Sequence, residues 1–359
     1  MDWNKPDVWD MLRGEARPIL LYGMGDGADK MLRAFAEKGI CAAGVFASDE
    51  FVRGHSFAGF PVLHLRDIME QFGEDIVVVL AFASQRPELL ARFSELSRRF
   101  PFFAPDVPVC GEGLFDRSYA RAHRAELEAA YSLLADGQSR RVFRDTVAFK
   151  LFGDIGVLRR CESPKDEIFG LLAPGGGEDF ADLGAYNGDT IRELLHHTGG
   201  RFSSITAFEP DCRNFKKLAA YAQEHLEGKG EIELVPAGAW SHDTQVRFSA
   251  KAGRNSRVSG EGRETPMRSL DSVLGGRRCS FLKLDVEGAE RQALEGARAT
   301  LTRFHPKINC AAYHRNEDLF ALPLFLHENW PGCRLYLRHH PYVPAWDTNL
   351  YAVWDGGTP

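Results

Sequence analysis

The stretch from Phe180 to Thr190 contains the residues with the clearest capacity to bind a ligand. A short apolar run, which predicts a buried strand, leads into a turn with Gly184 and Gly188, and a helix is predicted to follow. Asp182 at the strand end can pair with an ammonium group, the glycines let a ligand lie against the backbone, and the first helical amides favour a carboxylate. The pattern predicts a nucleoside with an amino-acid tail, held by Asp182, Gly184, Ala185, Tyr186, Asn187, Gly188, Asp189 and Thr190.

Two features narrow the choice of ligand. Tyr186 stands where a Gly-x-Gly-x-x-Gly turn has its middle glycine, which favours S-adenosylmethionine over a dinucleotide. Glu209 ends the next predicted strand, where a carboxylate can accept hydrogen bonds from both ribose hydroxyls. A solvated loop carboxylate is the alternative interpretation of Glu209. Pro210 and Asp211 begin the following helix and complete this part of the predicted site.

A third element follows the strand predicted near 231–236. Its small residues Gly238 and Ala239, with the aromatic Trp240, could form a slot for adenine, although Trp240 could equally belong to the core. The next stretch, 249–264, is rich in Gly, Arg and Ser and predicts a flexible hairpin or loop.

Carboxylates also end the strand predicted near 279–285. Open α/β sheets build their sites at the carboxyl ends of strands, so Asp285 and Glu287 are expected to border the pocket for the transferred group, with Asp285 also near the cofactor. Glu287 and Glu290 could instead only stabilise the start of the next helix.

Two histidines are candidates for a general base. His314 and His339 each follow or end a later predicted strand, and imidazole titrates near neutral pH. A hydrogen-bonded structural role is the alternative for each of them. A sulfonium donor is already activated, so positioning alone could also suffice. No metal is predicted, because no spacing demands one, although Asp285, Glu287, His314 and His339 could converge.

The elements that must position these residues alternate between strand and helix from Glu178 onward. Seven strands are predicted near 179–183, 204–209, 231–236, 279–285, 308–313, 333–338 and 349–354. No helix separates the last two, which predicts an antiparallel hairpin at the end of an otherwise parallel sheet. The fold class is therefore α/β, with the Rossmann-like seven-stranded sheet of class I methyltransferases.

A smaller α/β unit precedes this sheet. Strands are predicted at 18–22, 41–46 and 76–81, and Gly23 and Gly25 lie in a Gly-x-Gly-x-x-Ala turn that could bind a second nucleotide or have only a structural role. The predicted domains are a small Rossmann-like unit at 1–100, a helical connector at 101–170 that could contact substrate, and the larger sheet at 171–359.

Composition and charge argue against nucleic acid as a partner and against a membrane span. The net charge of -6 argues against a general grip on nucleic acid, and no apolar run is long enough to span a membrane. Seven scattered cysteines and the lack of a secretory signal favour reduced thiols and a cytoplasmic location. A homodimer is left open.

Four of these motifs together resemble one known family. The segments 182–190, 208–211, 269–271 and 282–290 look like the FkbM-type methyltransferases over about 178–354, and Asp285-Val286-Glu287-Gly288-Ala289-Glu290 is the most distinctive of them. The resemblance implies an S-adenosylmethionine-dependent enzyme, usually an O-methyltransferase acting on a sugar, glycan, polyketide or similar small molecule. The alternative is a protein whose N-terminal unit binds a nucleotide or nucleotide sugar while the second domain no longer catalyses.

Overall fold

The computed structural model of the chain describes residues 5–250, 256–258 and 263–354. The stretch 249–264, for which the sequence predicts a flexible hairpin or loop, lies partly outside these residues. Two large sheets and one small sheet, connected and covered by helices, make up the described part of the chain. We retain the division into 1–100, 101–170 and 171–359 as a proposal; the first sheet continues to Phe103 and the connecting helices to Leu172.

The first sheet has six strands in the order β3-β4-β2-β1-β5-β6, all parallel except the β3–β4 hairpin. The three predicted strands correspond to β1, β2 and β5, and the structure adds three more. Its elements are α1 (Val8–Arg13), β1 (Ile19–Tyr22), α2 (Asp26–Lys38), β2 (Gly44–Phe46), a 3-10 turn (Asp49–Phe51), β3 (Ser56–Phe57), β4 (Phe60–Leu63), α3 (Leu65–Phe72), β5 (Val77–Leu80), α4 (Pro87–Arg99) and β6 (Phe102–Phe103).

Burial on both faces explains the unbroken apolar runs of this sheet. In β1, Ile19 and Leu21 pack into one core cluster with α1 and α2, while Leu20 and Tyr22 pack into another with α3 and α4. Successive side chains of a strand point to opposite faces, so a strand covered on both sides needs apolar residues at every position.

The glycines after β1 are required by contacts within the protein. A Cβ atom at Gly23, where φ is 115°, would lie 2.4 Å from the Phe82 ring, and one at Gly27 would lie 2.4 Å from the carbonyl oxygen of Ala81. Close packing between this turn and the end of β5 therefore accounts for glycine at both positions. The second nucleotide at Gly23 and Gly25 stays a prediction.

Five helices connect the two large sheets. The first two are separated at His123, whose ring packs 4.4 Å from Tyr119 and 5.1 Å from Phe320 between ring centroids. The five are α5 (Arg117–Ala122), α6 (Arg124–Leu133), α7 (Gly137–Phe152), α8 (Ile155–Cys161) and α9 (Lys165–Leu172).

The second sheet confirms the predicted fold class. Its seven strands lie in the order β16-β17-β15-β14-β7-β8-β9, and only β17 is antiparallel to its neighbours. The elements of this part are β7 (Asp179–Leu183), α10 (Asp189–His197), β8 (Ser204–Phe208), α11 (Cys212–His225), β9 (Glu231–Val235), β10 (Gly238–Ala239), β11 (Thr244–Ala250), β12 (Ser256–Val258), β13 (Arg263–Arg268), α12 (Leu270–Leu274), β14 (Phe281–Leu284), α13 (Glu290–Glu295), α14 (Arg298–Phe304), β15 (Lys307–Ala311), α15 (Asp318–Asn329), β16 (Cys333–His339) and β17 (Thr348–Trp354).

Two features of this part differ from the sequence prediction. Strands β10 to β13 form a separate four-stranded sheet. The helix expected after Asp285 is divided at Gly296, where a Cβ atom would lie 2.0 Å from the carbonyl oxygen of Trp240. The backbone after β10 therefore packs directly against the break between α13 and α14.

The helices of the described residues contain no segment long and apolar enough to cross a membrane.

Candidate active site

A cleft of about 320 Å³ opens at the carboxyl ends of the central strands of the second sheet. Ligands of open α/β sheets bind at this edge, where the loops after neighbouring strands converge. Among the residues that line it, these were predicted from the sequence to be site residues: Gly184, Tyr186, Asp189, Thr190, Glu209, Pro210, Gly238, Ala239, Asp285, Glu287 and His314.

Gly184 fixes the distance between two of the loops. It follows β7 with φ of 89°, and a Cβ atom there would lie 2.0 Å from the carbonyl oxygen of Asp285. Only glycine permits both the left-handed backbone and this approach. Gly184 thus sets the loop after β7 directly against the loop after β14, and the two together form the floor of the cleft.

Glu209 presents a buried carboxylate to the cleft. Its Oε2 accepts a hydrogen bond from the Tyr186 amide at 2.9 Å, and its Oε1 accepts one from the Asp211 amide at 2.8 Å. Burial raises the pKa of Glu209 to about 7, although these two amides favour the charged form. Each oxygen keeps a second lone pair, so a fixed carboxylate is available to two hydroxyl donors.

Asp182 lies behind the cleft. Its side chain is fully buried, its Oδ1 lies 3.2 Å from Lys283 Nζ, and burial raises its pKa to about 6 against the opposing effect of Lys283. Lys283 lines the cleft and donates a hydrogen bond to the Gly184 carbonyl oxygen at 2.8 Å. The structure therefore places a lysine between the predicted carboxylate and the site. The sequence signal for this arrangement is Lys283 itself, because it is the one charged residue in the otherwise apolar run from Phe281 to Leu284.

Six further predicted residues do not line the cleft. Asp211 is the N-cap of α11 and accepts hydrogen bonds from the Arg213 and Asn214 amides. His339 is buried, with its Nδ1 2.9 Å from Thr348 Oγ1, and this contact corresponds to the structural role considered for it. With Asp182, the predicted residues outside the cleft lining are Ala185, Asn187, Gly188, Asp211, Trp240 and His339.

His314 lies where three carboxylates meet. Its Nε2 is 3.4 Å from Asp285 Oδ1 and 3.6 Å from Glu287 Oε2, and its Nδ1 is 2.8 Å from Glu290 Oε1. Burial favours the neutral ring, but the charges of Glu290, Glu287 and Asp285 raise the pKa of His314 well above its ordinary value. Asp285, Glu287 and His314 thus lie together in the structure, whereas His339, the fourth residue that could have converged with them, does not line the cleft.

Glu290 is a member of this group that the sequence interpretation left at the helix start. Its carboxylate is almost fully buried, and Oε1 also accepts a hydrogen bond from the Val286 amide at 2.9 Å. A carboxylate held in this way fixes the imidazole with its proton on Nδ1 and its Nε2 toward Asp285 and Glu287. Burial of a glutamate at the start of a helix carries no distinct sequence signal.

The opposite wall of the cleft combines aromatic and charged side chains. The rings of Tyr342 and Trp346 are 5.7 Å apart between centroids, and Lys165 Nζ lies 3.2 Å from Glu193 and 3.8 Å from Asp347. All five residues line the cleft, together with Gln85 and Val109 from earlier in the chain. Lys165 and Val109 belong to the predicted connector, whereas Gln85 follows β5 of the first sheet.

Most of the residues that line the cleft lie within a segment that matches a known protein family. The model of the methyltransferase FkbM domain matches residues 182–343, a range that contains the carboxylate and histidine cluster and both Gly184 and Glu209. Residues 182–343 are an FkbM methyltransferase domain. The FkbM domain thus includes the loops after β7, β8, β9, β14 and β15, and the resemblance expected from the sequence is confirmed.

Solved structures extend the similarity in fold beyond the FkbM domain. The crystal structure of methyltransferase FkbM from Methylobacillus flagellatus KT is 20% identical, with a TM-score of 0.72 over 96% of this chain and 92% of that one. Its fold therefore includes a counterpart of the first sheet. An rRNA methylase from Streptococcus thermophilus, 14% identical, covers 54% of this chain and 97% of its own with a TM-score of 0.36, too low to support an argument. No curated protein matches the chain.

Proposed function

We propose that the protein is an S-adenosylmethionine-dependent methyltransferase that methylates a hydroxyl group of a small molecule. The observation that carries the proposal is Glu209, a buried carboxylate at the end of β8 whose two oxygens are fixed by backbone amides and face the cleft. A rigid acceptor of this kind suits the paired hydroxyls of a ribose. The FkbM domain supports methyl transfer as the reaction.

The cofactor would occupy the part of the cleft between the loops after β7, β8 and β9. Glu209 would hold the ribose, and a flat ring would lie against the part of the cleft that Pro210, Gly238, Ala239 and Met267 line. The amides at the start of α10, near Asp189 and Thr190, would bind the carboxylate of the amino-acid tail. Asp182 would act indirectly, through its ion pair with Lys283.

Calorimetry with S-adenosylmethionine tests the cofactor. Glu209→Ala removes a charged acceptor of two hydroxyl hydrogen bonds, and we expect the affinity to fall about tenfold to a hundredfold. Glu231→Gln, an exposed carboxylate at the start of β9, is the matched control and should bind as the unmodified protein does. Equal affinities for Glu209→Ala and the control would refute the assignment.

The acceptor would lie beside Asp285, Glu287 and His314. Its hydroxyl oxygen would attack the methyl carbon in line with the carbon–sulfur bond, which breaks to leave S-adenosylhomocysteine. The hydroxyl proton must leave as the new carbon–oxygen bond forms, and His314 Nε2 is the nitrogen that faces the cleft. The raised pKa of His314 implies that this role requires loss of the imidazole proton first.

The cleft also indicates what kind of acceptor fits. Asp285, Glu287 and Asp347 place carboxylates around it, while Tyr342 and Trp346 add aromatic surface. Carboxylates accept hydrogen bonds from hydroxyl groups and repel anions, and aromatic rings cover apolar faces. These features support a neutral, hydroxyl-bearing acceptor such as a sugar, glycan or polyketide over a phosphorylated one.

Methyl transfer to unknown acceptors can be followed by isotope. The protein would be incubated with S-adenosylmethionine carrying a deuterated methyl group and with fractionated small-molecule extracts, and products would be detected by their mass shift. Neutral hydroxylated compounds are expected to be labelled. Labelling confined to phosphorylated or carboxylated acceptors would contradict the proposed acceptor class.

A further inference from the structure

Asp285, Glu287, Glu290 and His314 form one group of titratable side chains. Three carboxylates surround one imidazole, and in the described part of the chain neither Asp285 nor Glu290 forms an ion pair with lysine or arginine. The nearby Arg315 Nε donates its hydrogen bond to the Gly288 carbonyl oxygen at 2.7 Å, and Lys283 is paired with Asp182. Even a protonated His314 leaves the group net negative.

The distances on the cleft side of His314 match those between ligands of one cation. Its Nε2 lies 3.4 Å from Asp285 Oδ1 and 3.6 Å from Glu287 Oε2, which is longer than a good hydrogen bond. Ligands bound at about 2.1 Å to a divalent ion lie about 3.0 Å apart in octahedral and about 3.4 Å apart in tetrahedral geometry when they are adjacent. One nitrogen and two carboxylates therefore already stand near the separation that a shared cation requires.

The far side of the imidazole has the partner that metal-binding histidines need. Glu290 Oε1 lies 2.8 Å from Nδ1, so the proton is held there and the lone pair of a neutral ring is on Nε2. Glu290 Oε2 is buried and accepts no hydrogen bond from the described residues. Ligand atoms of Asp285, Glu290 and His314 all lie within 4.8 Å of one another.

We propose that this group is a divalent-cation site, in which His314 Nε2 and Asp285 are ligands, Glu287 is a further ligand from the cleft wall, and Glu290 positions the histidine. A set of carboxylates with one imidazole is compatible with Mn²⁺, which binds carboxylate ligands readily and serves as a probe of the site. The cation site is argued from geometry alone; only its role in methyl transfer rests on the proposed function. A bound cation would lower the pKa of a coordinated acceptor hydroxyl, so the proton would pass to solvent and His314 would be a ligand in place of a base.

Titration of the full chain with MnCl₂, after treatment with a chelator, tests the site through the electron paramagnetic resonance signal of free Mn²⁺. We expect one ion per chain and a loss of affinity of about tenfold to a hundredfold for Glu290→Gln, the usual effect of removing a partner of a ligating histidine. Asp285→Asn should weaken binding at least as much. Glu231→Gln, which alters an exposed carboxylate at the start of β9 that does not line the cleft, is the control and should leave the affinity unchanged.

Pulsed electron paramagnetic resonance of Mn²⁺ on the unmodified protein provides a measurement that does not depend on how a variant folds. Coupling of the ion to an imidazole nitrogen is expected. Lack of saturable binding at millimolar Mn²⁺, lack of nitrogen coupling, or unchanged binding by Asp285→Asn would each overturn the site. Calorimetry with S-adenosylmethionine on the same chelator-treated protein separates the two proposals: cofactor binding without Mn²⁺ binding refutes the cation site alone, and the reverse result refutes the proposed function alone.

Discussion

At the scale of single residues, Glu209 links the chemistry of the cleft to pH. Burial raises its pKa to about 7 in the ligand-free protein, but only its ionised form accepts two hydroxyl hydrogen bonds. Protonation therefore competes with cofactor binding, and the affinity for S-adenosylmethionine should rise about tenfold between pH 6 and pH 8 and then level off. Calorimetry across this range checks the expectation. A Glu209→Gln variant, which cannot ionise, should show weak affinity with little dependence on pH; the same slope in the variant would assign the titration to another group.

Gly184 supports a prediction about stability. An alanine there would combine a φ of 89° with a Cβ atom 2.0 Å from the Asp285 carbonyl oxygen. Gly184→Ala should lower the free energy of unfolding by about 3 kcal/mol or more, from backbone strain and displacement of the β14 loop. Gly200→Ala is the matched control, because Gly200 has φ of 78° but nothing within 4 Å of its Cβ position, and it should cost about 1 kcal/mol. Urea unfolding would compare them, and equal losses would show that the close approach to Asp285 has no cost.

The site residues at strand ends could be predicted from the sequence, whereas the buried partners behind them could not. Glu209, Asp285, Glu287 and His314 each end or follow an apolar run, and strand ends converge at one edge of a parallel sheet, so their proximity was predictable. Burial of Glu290 and the pairing of Asp182 with Lys283 depend on how α13 and β14 pack, which no local pattern specifies.

At the scale of elements, Arg338 ties the connecting helices to the second sheet. This buried residue of β16 donates to Asp136 Oδ2 at 2.7 Å, to Glu167 Oε1 at 2.9 Å and to Ser139 Oγ at 2.8 Å. Asp136 and Ser139 lie at the start of α7, and Glu167 lies in α9. One planar guanidinium therefore fixes two helices at once, a geometry that lysine cannot reproduce.

Replacement of this guanidinium should weaken the junction. Arg338→Lys keeps the charge but loses the fork of donors, and we expect the free energy of unfolding to fall by about 2 kcal/mol. The exposed Arg98 of α4 offers the control Arg98→Lys, which should change the free energy of unfolding by less than about 0.5 kcal/mol. Denaturant unfolding followed by circular dichroism measures both. A similar, small effect of the two changes would mean that the contacts of Arg338 are not stabilising.

Elements of the second sheet were more predictable than those of the first. Each strand of the second sheet is four to seven residues long, so its apolar run is distinct. In the first sheet, β3 and β6 have two residues each and carry no period of their own. The break at Gly296 is set by the approach of the Trp240 backbone, a tertiary contact that helix propensity cannot reveal.

At the scale of the whole molecule, a short segment around Val109 links a helix of the first sheet to the candidate active site. Lys30 of α2 donates to the carbonyl oxygens of Val109 at 3.0 Å and Pro108 at 3.3 Å. The next residue, Cys110, donates its amide to the His314 carbonyl oxygen at 2.9 Å and its thiol to the Glu287 carbonyl oxygen at 3.0 Å. A helix of the first sheet thus supports the backbone of two residues of the site.

This connection predicts a long-range effect. Lys30→Met should loosen the segment around Val109 and Cys110, so amide hydrogen exchange should accelerate there and near His314. Hydrogen exchange read by mass spectrometry measures both peptides, with Arg33→Met on an exposed position of the same helix as the control. Faster exchange near Val109 without a change near His314 would show that the two segments are not coupled.

The loop between β16 and β17 meets the first sheet directly. Val343 exchanges two backbone hydrogen bonds with Ser84, at 2.8 and 3.0 Å, and the neighbouring Tyr342 and Trp346 line the cleft with Gln85. A chimaera that joins residues 179–354 of this chain to the first half of a relative would therefore keep the group around His314 but have a different residue in place of Gln85 in the cleft wall. Exchange of acceptor preference between such enzymes should require residues 81–87 and 340–347 to be transplanted as one cassette.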